Sequence, residues 1–138
     1  MAQYLIAYAG TAVVFLALDA LWLGVVAVSF YKEQLGDLLA DRVKFGYAAG
    51  FYLIYCIGIV IFAVAPALKT GQWTDAALYG ALFGFFCYAT YDMTNLATIR
   101  GWPLPMSLVD MAWGSALTGT AAVAGYFTAT LVPGGVGS

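Results

Sequence analysis

The sequence contains few charged residues. Only 9% of its 138 residues are Asp, Glu, Lys or Arg, whereas soluble domains carry about 25%. Hydrophobic residues make up 64% of the chain, and the mean hydropathy is +0.90. This composition predicts an integral membrane protein whose main surroundings are a lipid bilayer. There is no basic patch and no nucleic-acid-binding motif, so no nucleic acid partner is expected.

Histidine is absent and cysteine is scarce. The lack of histidine removes the commonest transition-metal ligand and the usual proton shuttle near neutral pH. The two cysteines, Cys56 and Cys87, both lie in apolar runs, and two cysteines make no disulfide framework. The N-terminal apolar run is too long for a signal peptide and has no basic segment before it. No cofactor is predicted, although a proton or a small cation is compatible with the acidic residues discussed below.

Four apolar runs organise the chain. A helix needs about 20 apolar residues to cross roughly 30 Å of hydrocarbon, and four such runs fit, at about residues 4–29, 45–65, 75–99 and 106–131. The sequence therefore predicts an all-α protein, a bundle of four transmembrane helices that forms a single transmembrane domain over residues 1–138. Pro66 is expected to end the second span. A short amphipathic surface helix is predicted over residues 33–39.

The basic residues beside the spans indicate an orientation. The first and third loops hold Lys32, Arg42, Lys44 and Arg100, whereas the second loop holds only Lys69. Basic residues are enriched in cytoplasmic loops. We therefore expect a multi-pass protein of the bacterial inner (cytoplasmic) membrane, with the N-terminus and the C-terminus both on the non-cytoplasmic side.

Two glycine pairs have the four-residue spacing that allows helices to approach closely in lipid. Gly80 and Gly84 lie in the third predicted span, and Gly46 and Gly50 lie in the second. A close helix contact is predicted at Gly80 and Gly84. Chance is the alternative explanation, because a chain with 16 glycines contains such pairs often.

Three of the seven acidic residues lie inside the predicted spans: Asp19, Asp92 and Asp110. With a rise of 1.5 Å per residue, Asp92 and Asp110 are roughly 10 Å and Asp19 roughly 15 Å from the cytoplasmic end of their helices. An ionisable group in hydrocarbon costs about 2.5–3.5 kcal/mol, so such residues normally face a cavity or a partner. We predict that the three acids share one cavity. Like charges held close together cannot all stay ionised, so the cluster would hold a proton.

Aromatic and amide side chains surround these acids in the sequence. Trp22 and Trp113 each follow an aspartate by three residues, which places each pair on one helix face. The remaining predicted wall residues share a helix face or a depth with the acids: Tyr88, Tyr91 and Asn95 in the third span, Tyr52 and Tyr55 in the second, and Arg100 at the inner mouth. For Trp22 and Trp113 taken alone, packing is the favoured role.

Three motifs resemble those of a known family. They are FLALDALWLG at residues 15–24, YATYDMTNLAT at 88–98 followed by RGWP at 100–103, and VDMAWG at 109–114. Together they resemble an uncharacterised bacterial family of small four-helix inner-membrane proteins, domain of unknown function 2177. The resemblance covers nearly the whole chain. It implies a four-span inner-membrane protein with these acids in its motifs, and it implies no activity or substrate.

Three functions fit these residues. The leading hypothesis is a proton- or cation-coupled carrier or channel in which Asp92 and Asp110 exchange the ion. Four short helices barely enclose a pathway, so a homo-oligomer is expected. The second hypothesis is a lipid-modifying membrane enzyme or enzyme subunit, in which the carboxylates hold a divalent cation and Arg100 binds a phosphate head group. The third is a structural subunit of a membrane complex. No nucleophile–base pair is present, so the enzyme hypothesis is less favoured.

Overall fold

The computed structural model describes residues 2–26, 28–38 and 45–131, and nearly all of them are helical. This confirms the predicted all-α class. The elements are α1 (Ala2–Leu21) with a π-helical turn (Trp22–Val26), α2 (Val28–Leu35) with a 3₁₀ turn (Gly36–Leu38), α3 (Phe45–Ile59) with a π-helical turn (Val60–Val64), α4 (Ala65–Thr70), α5 (Trp73–Thr98) and α6 (Leu104–Thr130). Arg42 and Lys44, which contribute to the predicted orientation, lie outside the described residues.

Two helical segments, Ala2–Val25 and Gly46–Thr70, are long and apolar enough to cross a membrane. Large apolar side chains cover their outward faces, and Leu5 and Ile54, for example, are 66% and 73% exposed. Helices α5 and α6 are just as long, with 26 and 27 residues. Their sequences are less apolar because their buried faces carry small and polar residues, such as Gly84, Asp92 and Thr118.

Helix α6 lies against both α1 and α5 and runs antiparallel to each. In the middle of α1, a Cβ on Gly10 would overlap the side chain of Thr128 near the C-terminal end of α6. Near the C-terminal end of α1, Trp113 of α6 hydrogen-bonds to Asp19. Between α5 and α6, Ser115 donates a hydrogen bond to the Ala81 carbonyl at 2.9 Å.

The glycine pair in α5 makes the predicted close contact. A Cβ on Gly80 would lie 2.7 Å from the Cβ of Ala122, and one on Gly84 would overlap the Gly114 carbonyl oxygen. The pair in α3 behaves differently, since no described atom lies within 4 Å of a Cβ placed on Gly46 or Gly50. The same spacing therefore produces a helix contact in α5 and none in the described surroundings of α3.

Pro66 does not end the second helical segment, in contrast to the prediction. The π-helical turn Val60–Val64 precedes it, and Pro66 occupies the first turn of α4. Proline is tolerated there because its missing N–H is not needed in the first turn of a helix. The segment ends instead at Thr70, where Gly71 adopts a φ of 73°. The predicted surface helix is also displaced, because α2 already begins at Val28.

Candidate functional site

A cavity of about 530 Å³ lies between α1, α2, α3, α5 and α6. It contains two carboxylates and a large number of aromatic rings. The residues that line it are Asp19, Trp22, Leu23, Tyr31, Phe51, Tyr55, Cys87, Tyr88, Tyr91, Asp110 and Trp113. Leu23, Phe51 and Tyr91 are 44%, 48% and 56% exposed, so the cavity opens to the surface beside these three side chains.

Asp19 is buried at the end of α1 and accepts two hydrogen bonds from neutral donors. The Tyr52 hydroxyl donates to Oδ2 at 2.5 Å, and the Trp113 indole N–H donates to Oδ1 at 3.3 Å. Tyr52 does not line the cavity but reaches the site through this bond. A carboxylate offers about four acceptor positions, so these two bonds leave acceptor capacity on Asp19.

Asp110 is linked to the first helix through Tyr31. The Trp22 indole N–H donates to the Tyr31 hydroxyl at 3.0 Å, and that hydroxyl donates to Asp110 Oδ1 at 3.1 Å. The Trp22 and Trp113 rings are stacked, with centroids 4.4 Å apart and an interplanar angle of 10°. Since Trp113 also bonds to Asp19, a continuous set of aromatic side chains connects the two cavity carboxylates.

Asp92 has different surroundings from the other two acids. Its side chain is fully buried, and neither carboxyl oxygen has a hydrogen-bond partner among the residues that the structure describes. Asp110 and the Trp102 indole are the polar groups that act on it, without the geometry of a hydrogen bond to either. Asp92 is not among the cavity-lining residues, so it lies beside Asp110 and away from the cavity wall. An unpaired charge is very costly to bury, which favours a neutral carboxylic acid here.

The other predicted site residues fall into two groups. Tyr55, Tyr88 and Tyr91 line the cavity, and the Tyr55 hydroxyl also bonds to Thr118 at 2.8 Å. Asn95 lies close to Tyr91 on α5, outside the lining. Arg100 is exposed in the turn between α5 and α6 and is not one of the described lining residues.

Tyr31 is the main residue of the site that the sequence does not predict. It stands in the polar loop of the predicted topology, whereas α2 carries it back to Asp110. Leu23, Phe51 and Cys87 are further lining residues outside the predicted set. Phe51 has a recognisable signal, because it lies four residues before Tyr55 on one helix face and stacks on that ring at 5.3 Å.

The three carboxyl groups do not form a metal-ligand cluster within the described part of the chain. Within residues 2–26, 28–38 and 45–131, no three His, Cys, Asp or Glu side chains lie close enough together to hold a metal ion.

Comparison with known proteins places these observations in a family. A family model described as "Predicted membrane protein (DUF2177)" matches residues 4–127, which include nearly all of the four long helical segments and every residue discussed at the site. No curated protein and no solved structure matches the chain.

Proposed function

The chain belongs to the DUF2177 family of predicted membrane proteins, and we propose that it is a small carrier or channel in which a cation exchanges with a proton. The observation that carries this proposal is that Asp19 and Asp110 line one cavity. A third carboxyl group, that of Asp92, lies beside Asp110. Intramembrane acids commonly mark ion pathways and proton relays.

The charge of the cavity favours a cation. None of the described lining residues is Lys, Arg or His, while two of them are aspartates. Tyrosine and tryptophan donors hold these carboxylates in place without adding positive charge. A cavity lined by charges of one sign raises the local concentration of counter-ions.

Asp92 supplies the proton in this mechanism. In its buried position it is held as the neutral acid, directly beside Asp110. Two adjacent carboxyl groups titrate as a coupled pair, so the charge on one affects proton binding by the other. When Asp110 binds a cation, the pair releases a proton, and when the cation leaves, the pair takes a proton up again. Tyr91 precedes Asp92 on α5 and lines the cavity, and Asn95 lies close to Tyr91.

The proposal includes a four-span topology in the inner membrane. Helices α5 and α6 contain 26 and 27 residues, about 40 Å at 1.5 Å per residue, which exceeds the roughly 30 Å of hydrocarbon. With the segments Ala2–Val25 and Gly46–Thr70, they make four spans with both termini on the non-cytoplasmic side. Exposed Phe51 and Tyr91 at the cavity opening favour a homo-oligomer, in which a second copy shields that opening from lipid.

Proton flux in proteoliposomes tests the proposal. Purified protein is reconstituted with a pH-sensitive dye inside, and outward gradients of K⁺, Na⁺ or choline are imposed one at a time. We expect at least one gradient to drive proton movement that empty liposomes lack. Asp110→Asn and Asp19→Asn should each reduce this flux by about tenfold or more, since each removes a charge worth several kcal/mol in a low-dielectric site.

Asp37→Asn is the matched control, because Asp37 is exposed in the 3₁₀ turn after α2. It should leave the flux unchanged. Wild-type flux in both Asp110→Asn and Asp19→Asn would refute the assignment of the cavity as the ion site.

A further inference from the structure

We propose that the cavity is selective for a small alkylated ammonium ion rather than for an inorganic cation. This inference rests on the proposed cation-binding function and names the chemical class that the same site takes. It follows from the nature of the cavity wall, the bonding of its carboxylates and its volume.

The wall is built mainly from aromatic rings. Trp22, Tyr31, Tyr55, Tyr88 and Trp113 all contribute to it. The face of an aromatic ring attracts a cation within about 6 Å of its centroid, and aromatic cages are a common solution for binding quaternary ammonium groups. Stacking occupies one face of each indole in the Trp22–Trp113 pair, and both rings still line the cavity.

The carboxylates are bonded in a way that suits a weakly hydrated cation. Asp19 already accepts two bonds and Asp110 accepts one. An inorganic ion stripped of water needs several oxygen ligands in its first shell, and two partly occupied carboxylates supply few. An alkylated ammonium ion needs no complete oxygen shell, so a nearby negative charge and aromatic faces satisfy it.

The volume of the cavity is in the range of pockets that bind small organic ligands. Pockets for small molecules measure about 300–1,000 Å³ and combine apolar walls with a few polar groups. The cavity of about 530 Å³, with Leu23 and Phe51 beside its aspartates, is of this kind. A bare monovalent metal ion would leave most of this volume and its apolar wall unused.

A matched pair of probes tests the inference. Choline and 3,3-dimethylbutan-1-ol have the same shape and differ in the charge of one central atom. Isothermal titration of the purified protein in detergent should show choline binding at least about tenfold tighter than the neutral alcohol, as expected for a desolvated cation–π site beside a carboxylate. Addition of K⁺ in equal concentration should not displace choline.

Three tryptophan variants locate the binding. Trp113→Leu should weaken choline binding about 5- to 30-fold, because it removes an aromatic face. Trp113→Phe restores a face without the indole N–H and should recover part of the loss. Trp73→Leu is the control, since Trp73 is exposed and lies at the opposite end of α5 from the cavity. It should bind choline as the wild type does.

The outcomes separate this inference from the carrier proposal. Equal binding of choline and the neutral alcohol, or displacement of choline by equimolar K⁺, would overturn the inference, and neither result depends on a variant that must fold. Ammonium-selective binding without any flux in liposomes supports the inference and refutes only the carrier proposal. Flux of inorganic ions without choline binding overturns the inference alone.

Discussion

Two buried aspartates in this protein have opposite hydrogen-bonding environments. Asp19 accepts bonds from Tyr52 and Trp113, whereas neither oxygen of Asp92 has a hydrogen-bond partner in the described part of the chain. A buried polar group without partners costs about 1–3 kcal/mol. The Asp92 side chain therefore lowers the stability of the folded protein. This is expected of a residue that serves function and not stability.

Replacement of each aspartate by leucine tests this difference. Asp92→Leu should leave the free energy of unfolding unchanged or raise it by about 1–3 kcal/mol, because it removes an unpaired polar group. Asp19→Leu should lower it by about 1–2 kcal/mol, because two intramembrane hydrogen bonds lose their acceptor. Denaturation in mixed micelles measures both variants. A large loss of stability in Asp92→Leu would show that Asp92 links helices structurally.

The sequence predicts the intramembrane acids and most of the aromatic wall at this scale. Asp19 and Asp110 stand out because a charge in an apolar run needs a reason, and Trp22 and Trp113 follow them by one helical turn. It does not predict that Asp92 lies outside the cavity lining. Helical spacing places Asp92 on a face with Tyr88 and Tyr91, but only the α5–α6 packing decides which part of that face meets the cavity.

At the level of the helices, the closest packing described here is that of α6 against α5. Its small residues fit against Gly80 and Gly84 of α5 so closely that even one added methyl group would meet backbone atoms. Backbone cannot move aside as a flexible side chain can, and overpacking of this kind costs about 1–3 kcal/mol.

Gly84→Ala is the corresponding prediction. It should lower the free energy of unfolding by about 1–3 kcal/mol, because the new Cβ would overlap the Gly114 carbonyl. Gly50→Ala is the matched control, since a Cβ there meets no described atom within 4 Å, and it should be neutral or slightly stabilising. Thermal unfolding in detergent compares the two. Equal stability of both variants would contradict the close contact.

The helices themselves are well predicted because long apolar runs leave few alternatives. The exceptions have local causes. Pro66 looks like a helix end, yet a preceding π-helical turn accommodates it. Tyr31 looks like a loop residue, yet it lies in the short helix α2 and its hydroxyl donates to Asp110 Oδ1 at 3.1 Å.

For the whole molecule, the proposed topology places the α2 region and the α4–α5 turn on opposite sides of the membrane. Lys32 and Arg100 lie at one end of the bundle and Lys69 at the other, as the antiparallel packing requires.

Cysteine labelling tests this topology. With Cys56 and Cys87 replaced by alanine, Gln72→Cys should react with a membrane-impermeant maleimide in intact cells. Asp37→Cys should react only after permeabilisation. The reverse labelling pattern would show the opposite orientation. Labelling of both variants in intact cells would refute the single membrane crossing by α3 and α4 between them.

The central claim is that a cation and a proton compete for the carboxyl groups of one cavity. Proton release measures this most directly, in weakly buffered detergent solution with a pH dye, when choline, K⁺ or Na⁺ is added to the purified protein. We predict that a cation that binds the wild type releases protons, and that Asp92→Asn binds the same cation with markedly less release. Cation binding to the wild type with no proton release would contradict the account.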